Sequence, residues 1–331
     1  MNKVHVRYDA LDAMRILAAF FVVCIHYWIV PGSMISRYVI VAARFAVPFF
    51  FMTTGFFLQT VIDKGRFKGY MQKIVMLTVG ANILYLILDS LYGTLDVSSI
   101  GDVCLQLLGA PIWGGVVWYL FALIYSCIII NFIYKKKACI IKFLPLLIIG
   151  YYCLIPYSIS LIPEYGWRSA LVTNNFLFEG IPFTTLGWSI RSLTKWNVSW
   201  KTWMFFALVF TVTAVFEARM ANRILHSWIQ LLFFTIPQTV CIMMAALTFP
   251  QDKWRLGWLS TAGRKYATYI YIFHFIWADT KSLPSAIDNT PYMVWFTFSA
   301  ALILSVIYVD VVKPLCSNIA NRCIAVIQNS K

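Results

Sequence analysis

Asp12, Arg15 and His26 have residue types and a spacing that could do chemistry inside a membrane. They lie in LDAMRILAAFFVVCIHYWIV, Leu11 to Val30. A run of about 20 apolar residues at 1.5 Å each covers a hydrocarbon core of about 30 Å. At about 100° per residue, the step from Arg15 to His26 returns to within roughly 20° of the same direction, so the two share one helical face about 16 Å apart. Asp12 precedes Arg15 by one turn, where a carboxylate can pair with it. Ala19 and Val22 lie on the same stripe and make its lining small and apolar. Ionisable groups at this depth cost about 2.5–3.5 kcal/mol each on insertion scales and mark a functional cavity by default. An imidazole there suits general-base work on a hydroxyl. The plainer reading is that Asp12 and Arg15 snorkel to the headgroups while His26 is a hydrogen-bonded core histidine.

Other spans bring further polar groups to a similar depth. Arg44 falls about two turns below the outer end of the second apolar run, Glu179 one to two turns into the sixth, and His274 near or beyond the middle of the ninth, in YIYIFHF. An Arg–Glu pair offsets a cost that neither bears alone, which makes Arg44 and Glu179 candidate partners. A histidine beside a carboxylate is oriented and made more basic. The alternative is that these groups only bridge helices. Pro182 after Gly180, in EGIPFTTLG, predicts a kink close to Glu179 that opens backbone polar groups to a cavity.

The elements that must position these residues are all helical. The chain has 331 residues, 61% hydrophobic and 12% charged, with a mean hydropathy of +0.75. Average soluble domains are about 45–50% apolar and 25% charged, so the composition predicts an all-α, polytopic transmembrane helical bundle. Strand-period alternation is absent, which argues against a β-barrel. Apolar runs place about ten spans at roughly 11–30, 37–61, 74–90, 113–134, 139–157, 174–190, 200–216, 227–249, 265–279 and 292–312. Twenty of the 27 Lys and Arg fall in the N-terminus, alternate connections and the tail. Five fall in the other connections, namely Arg37, Arg168, Arg219, Arg223 and Lys281. Basic residues collect in cytoplasmic loops, so the pattern predicts both termini inside, N-in and C-in. The net charge of +14 is then a topology signal rather than a sign of nucleic-acid binding. Asp96 and Asp102 sit in an outer connection, and Pro163, Glu164 and Arg168 in another. No soluble domain is visible, and residues 1–331 read as one integral-membrane domain. The eight cysteines show no C-x-x-C spacing, which gives no support for a disulfide framework or a metal site. No cleavable signal peptide is evident, since the first apolar run has span length. An inverted repeat of the kind many transporters carry is also missing.

Several stretches have a plain reading first. Trp118 and Tyr119 are interfacial or lipid-facing aromatics, and Thr53-Thr54-Gly55 offers small residues for close helix approach. Lys64, Arg66, Lys68 and Lys73 are first a topology signal, and could also meet the phosphates of a cytoplasmic donor. No glycine-rich phosphate loop occurs.

Taken in order, these residues resemble acyltransferase family 3, a family of integral-membrane acyltransferases. That family carries an Arg or Lys, ten residues, then His in its first span, and Arg15 and His26 match. LDAMR, RFAVPFFFMTTGFFL with Arg44, WYLFAL from Trp118, EGIPFTTLGWSI and the late YIYIFHF are also similar to the family pattern. The sequence departs from it at Thr54-Gly55, where a Ser-Gly is usual, and at Gly69 to Lys73, where many members have paired arginines. The resemblance runs from Leu11 to about Val312. It implies transfer of an acyl group, usually acetyl from acetyl-CoA, to a hydroxyl of a cell-envelope glycan or lipid-linked precursor at the bacterial cytoplasmic membrane. His26 would activate the hydroxyl or carry the acetyl group. Arg15, held by Asp12, would meet the donor or stabilise charge on the thioester oxygen, and Glu179 and His274 would orient acceptor or base. The implied partners are acetyl-CoA, the glycan or lipid-linked acceptor and membrane lipid, with a homo-oligomer or a separate glycan-assembly protein as further expectations. Two other classes stay open: an uptake domain for a small polar molecule, which needs no acyl donor, and a structural partner of a polysaccharide machine.

Overall fold

The structure, a computed structural model, describes residues 7–95, 97–110, 112–136, 139–153, 174–193, 197–225, 231–253, 255–277 and 290–316. Asp96, Pro163, Glu164, Arg168, Lys281 and the basic tail beyond Cys316 lie outside the described residues.

The first stretch forms α1, Asp9–His26, with Asp9 and Asp12 in its first turn. Acidic side chains there meet the positive end of the helix dipole. The sequence reads 37–61 as one span, and the structure keeps it within one helical stretch, Met34–Asp63, interrupted only in its hydrogen bonding near Arg44. Proline has no N–H for the carbonyl four residues back and its ring crowds that carbonyl, which for Pro48 belongs to Arg44. Helix α2, Met34–Ala43, therefore stops at Arg44, and α3, Ala46–Asp63, starts two residues on. Next come α4, Phe67–Tyr92, the short α5, Ile100–Leu107, and α6, Trp118–Lys135. Helix α7 is Leu144–Cys153. A π-helical turn, Phe176–Gly180, leads directly into α8, Ile181–Leu193. Helix α9 is Trp200–Leu225, α10 is Thr235–Thr248, and α11 is Gly257–Phe273, continued by a 3-10 turn over His274–Trp277. Helix α12, Tyr292–Val306, runs on into a π-helical stretch, Ile307–Val312. Among the described residues there is no strand.

Among the described residues, five helical stretches are long and apolar enough to cross a membrane: Met34–Asp63, Phe67–Tyr92, Trp118–Lys135, Trp200–Ile224 and Tyr292–Cys316. The ten apolar runs do not all become such helices, for a physical reason. Helix α1 carries Asp9, Asp12 and Arg15, and α8 and α10 are short at 13 and 14 residues. These helices are packed on by others, and interrupted or polar backbone is tolerated at membrane depth where protein surrounds it. The outer helices show the reverse pattern. Met76, Ile83 and Ile87 of α4, Phe205, Leu208 and Phe216 of α9, and Trp295 and Ile303 of α12 are exposed. Apolar faces of this extent on span-length helices suit lipid. The protein is thus a multi-pass helical membrane protein.

Inside, the bundle is drawn together at glycines. A Cβ on Gly55 would sit 1.8 Å from the Thr184 carbonyl oxygen, and one on Gly187 would sit 1.9 Å from that of Met52. Helices α3 and α8 therefore touch backbone to backbone, the small-residue packing that membrane helices use in place of a hydrophobic drive. Gly263 does the same for α11 against Asp12 of α1. The core fills the remaining space with Phe49, Phe51 and Met52 of α3, Leu120 of α6, Met243 and Met244 of α10, and Tyr271 of α11.

Candidate functional site

His26 is the last residue of α1, and the chain leaves the helix at Tyr27, whose backbone is extended (φ −125°, ψ 134°). Tyr27 fixes that end by donating its hydroxyl to the His274 carbonyl at 3.0 Å. The His26 side chain is exposed, and its exposed surface faces a cavity. His274 lies behind it, fully buried, with ring centroids 5.2 Å apart. His274 Nδ1 is 2.6 Å from the Tyr271 carbonyl oxygen. A carbonyl only accepts, so Nδ1 carries the proton and Nε2 keeps a bare lone pair. That Nε2 is buried and has no hydrogen-bond partner among the described residues. Phe275 closes the other side of His26, at 5.1 Å between ring centroids.

The break at Pro48 delivers Arg44. As the residue capping α2, it is released from regular helix and lines the same cavity. Glu179 arrives from the π-helical turn. Asn175 caps that turn, its side-chain oxygen accepting from Leu177 N–H and Phe178 N–H at 2.8 Å each. Pro182, with no N–H to give, follows two residues after the turn's last member, Gly180, and the wider turn precedes it. Gly180 lets the turn press on α6, where a Cβ would meet Ser126 Oγ at 2.4 Å. The predicted kink near Glu179 therefore takes the form of a π-helical turn, a feature frequent at functional sites.

The cavity has a volume of about 270 Å³ and is lined by Val22, His26, Arg44, Val47, Trp118, Asn174, Glu179 and Tyr271 among others. Arg44 and Glu179 face it beyond ion-pair distance of each other, and among the described residues neither side chain makes a hydrogen bond. Tyr271 is held in place by donating to the Val116 carbonyl at 2.9 Å. Trp118 is delivered by the loop before α6. Gln106 clamps that loop, its Oε1 accepting from Ile112 and Trp113 N–H at 2.9 and 3.2 Å. Asp89 accepts from Gly114 N–H at 3.0 Å.

A second polar station lies at the other end of α1. Asp12 pairs with Arg15 at 3.1 Å and with Arg264 at 3.5 Å. Gly263 brings the backbones together there, while His26 and His274 meet at the far end, so α1 and α11 run parallel. Between the stations Val22 reaches the cavity, whereas Ala19 is fully buried against Ala267, Ile270 and Ala301. The stripe between Arg15 and His26 is therefore partly packed.

Of the residues singled out in the sequence, His26, Arg44, Glu179 and Trp118 come together on one cavity. His274 and Tyr119 form its backing, Tyr119 packing on Tyr271 at 4.9 Å between centroids. Asp12 and Arg15 form the second station. Lys73 is exposed on α4 and does not line the cavity. Sequence reasoning passed over Asn174, Tyr271 and Arg264. Tyr271 stands seven residues after Arg264, on the same helical face, and that phase was a usable signal. Glu217 was also passed over. It accepts from Phe233 and Phe234 N–H at 2.6 and 2.9 Å and so satisfies backbone donors just before α10.

Such a site can take a proton from a hydroxyl at His26 and offer a cation at Arg44 to developing negative charge. Comparison with known proteins bears on this. An amino-acid racemase of Enterococcus faecalis is 28% identical over 252 residues, covering 70% of this chain and 32% of that protein. The chain thus spans about a third of the length of that curated relative. No solved structure matches the chain. The acyltransferase family 3 model, described as an acyltransferase domain, matches residues 8–310, a range that contains both polar stations and every helix from α1 to α12. The chain belongs to acyltransferase family 3.

Proposed function

We propose that this protein transfers an acetyl group from cytoplasmic acetyl-CoA to a hydroxyl of a cell-envelope glycan or its lipid-linked precursor, in the bacterial cytoplasmic membrane. The observation that carries this reading is the single helix α1, with paired Asp12 and Arg15 near one end and cavity-facing His26 at the other. The charge bias of the connections orients about ten crossings with both termini inside, which sets Arg15 and Arg264 toward the cytosol. The parallel run of α1 and α11 supports that orientation. Arg15 and Arg264 suit the phosphates of a CoA donor, since guanidinium forks bind phosphate bidentately.

In the proposed reaction the acceptor hydroxyl enters the cavity and gives its proton to His26. Its oxygen attacks the acetyl carbonyl, the carbon–sulfur bond breaks, and CoA leaves as thiolate to take up that proton. Arg44 offsets negative charge as it develops. In the variant with a carrier, His26 takes the acetyl group first and passes it to the hydroxyl, and mass spectrometry of a trapped acyl-histidine separates the two. Envelope glycan from cells with the gene deleted, restored, or restored as His26→Ala tests the proposal by NMR. O-acetyl content returns only with the unaltered gene. Equal O-acetyl content with His26→Ala removes the assignment.

A second reading is an uptake domain for a small polar molecule, and the match to an amino-acid racemase suits an amino acid as that molecule. It needs no acyl donor, so binding of acetyl-CoA to the purified protein separates the two.

A further inference from the structure

Arg44 and Glu179 present an unusual pair of facts. Both line one cavity, close enough for their charges to interact but beyond ion-pair distance of each other. Glu179 is 8% exposed and, among the described residues, has no hydrogen-bond partner. Arg44 has five N–H donors, and none donates to a described residue. A charged side chain at membrane depth normally finds a partner in the protein. Two that flank a void instead leave a place for a ligand that supplies both partners. The positive side calls for an anion, and a carboxylate matches the planar fork of a guanidinium with two parallel hydrogen bonds. The negative side calls for a donor, either a hydroxyl or an ammonium. His26 stands on the same wall for the reacting hydroxyl, with Trp118 and Tyr271 as aromatic flanks. At about 270 Å³ the cavity lies just under the usual range of about 300–1,000 Å³, so it holds one small unit rather than an oligomer.

We propose that the acyl acceptor is itself acidic: a carboxylate on the hydroxyl-bearing unit binds Arg44, and a second hydroxyl or amino group of that unit donates to Glu179. This rests on reading the cavity as the acceptor site. An acidic sugar residue and a free hydroxy amino acid share this chemistry, and the experiment distinguishes them. A neutral sugar satisfies Glu179 and leaves the Arg44 N–H fork without a carboxylate to match it.

The test uses the full chain in lipid nanodiscs with glucuronate, glucose and serine as probes at equal ionic strength, read by calorimetry. Glucuronate or serine binds at least tenfold more tightly than glucose. Arg44→Gln removes that preference, Arg44→Lys keeps part of it, and Glu179→Gln weakens glucuronate and glucose alike. Binding of serine without glucuronate identifies a free amino acid as the source of the carboxylate and upholds its place at Arg44. Equal affinities for all three probes, no binding of either acid, or a preference that persists in Arg44→Gln overturns the proposal. Should Arg44→Gln fail to purify as a folded species, the Arg44→Lys and Glu179→Gln series decides in the same way. Acetyl transfer is scored separately. Transfer to a neutral acceptor without acid preference overturns this inference alone, and acid binding without transfer overturns the acyltransferase reading while upholding a carboxylate site at Arg44.

Discussion

Replacing Gly263 by alanine should separate α1 from α11 and cost both stability and turnover. The added Cβ would sit 1.8 Å from the Asp12 carbonyl oxygen, 2.8 Å from its carbon and 3.3 Å from Ile16 N. Ordinary van der Waals contact begins at 3.4 Å, so relief requires a displacement of about 1.6 Å. The atoms in the way are backbone, and no side-chain rotation removes them. Overpacking of this kind costs about 1–3 kcal/mol. The same contact sets the register in which Asp12 meets Arg264 and His26 meets His274. Misplacement of reacting groups by about 1 Å can cost roughly a hundredfold in rate, so a loss of that order is expected in acyl transfer. Gly257 on the same helix is the control, because a Cβ there has nothing within 4 Å. Gly257→Ala should change stability by no more than about 0.5 kcal/mol, as substitutions free of packing do. The assay is denaturant unfolding of both variants in matched micelles, with acyl transfer measured on the same preparations. If Gly263→Ala behaves like Gly257→Ala in both readouts, the backbone contact between α1 and α11 does not hold the site together.

Three further outcomes follow from other contacts. Double-mutant cycles on Asp12 should give a larger coupling with Arg15 than with Arg264, whose side chain is 42% exposed and whose coupling should be about 0.5 kcal/mol. Additive effects for both pairs would remove the ion-pair reading. Glu217→Ala should destabilise by about 1–3 kcal/mol, because the N–H groups of Phe233 and Phe234 lose their acceptor, and Glu217→Gln should recover part of that loss. In the connection between α4 and α6, Ser98 and Ser99 N–H donate to Asp102 at 2.9 and 2.8 Å and hold its carboxyl below the usual carboxylate range. A depressed folded pKa means that the stabilising effect is complete above the ordinary value of about 4 and is lost as pH falls through the lower folded one. Amide exchange over residues 98–107 should therefore keep its protection at neutral pH and lose it only in acid, and Asp102→Asn should abolish that dependence.

The sequence makes the polar stations legible because an ionisable residue inside an apolar run is conspicuous without any fold. Asp12, Arg15, His26, Arg44, Glu179 and His274 are all of this kind. Depth along a helix is also readable, since the rise per residue is fixed. Which of these residues share a cavity is a matter of helix rotation and neighbour choice, and those depend on packing. Ala19 illustrates the limit. Its phase puts it on the stripe with Arg15 and His26, yet α11 and α12 bury it completely. Tyr271 and Asn174 escaped notice because tyrosine and asparagine near a span end have ordinary interfacial roles. Arg264 was absorbed into a basic run that served the topology argument. The interruption at Arg44 was available in principle, because Pro48 names the carbonyl it cannot serve. The span count is unaffected by it, since Met34–Asp63 remains one apolar stretch of span length.

The central claim is that chemistry occurs at the His26 imidazole in the cavity shared with Arg44 and Glu179. The most direct measurement is release of CoA and labelling of acceptor by purified protein in lipid vesicles supplied with radiolabelled acetyl-CoA, comparing the unaltered chain with His26→Gln. General-base catalysis contributes about 10²–10⁴-fold, so His26→Gln should fall by at least a hundredfold while still binding acetyl-CoA with unchanged affinity. Turnover by His26→Gln within a few-fold of the unaltered protein would contradict the account.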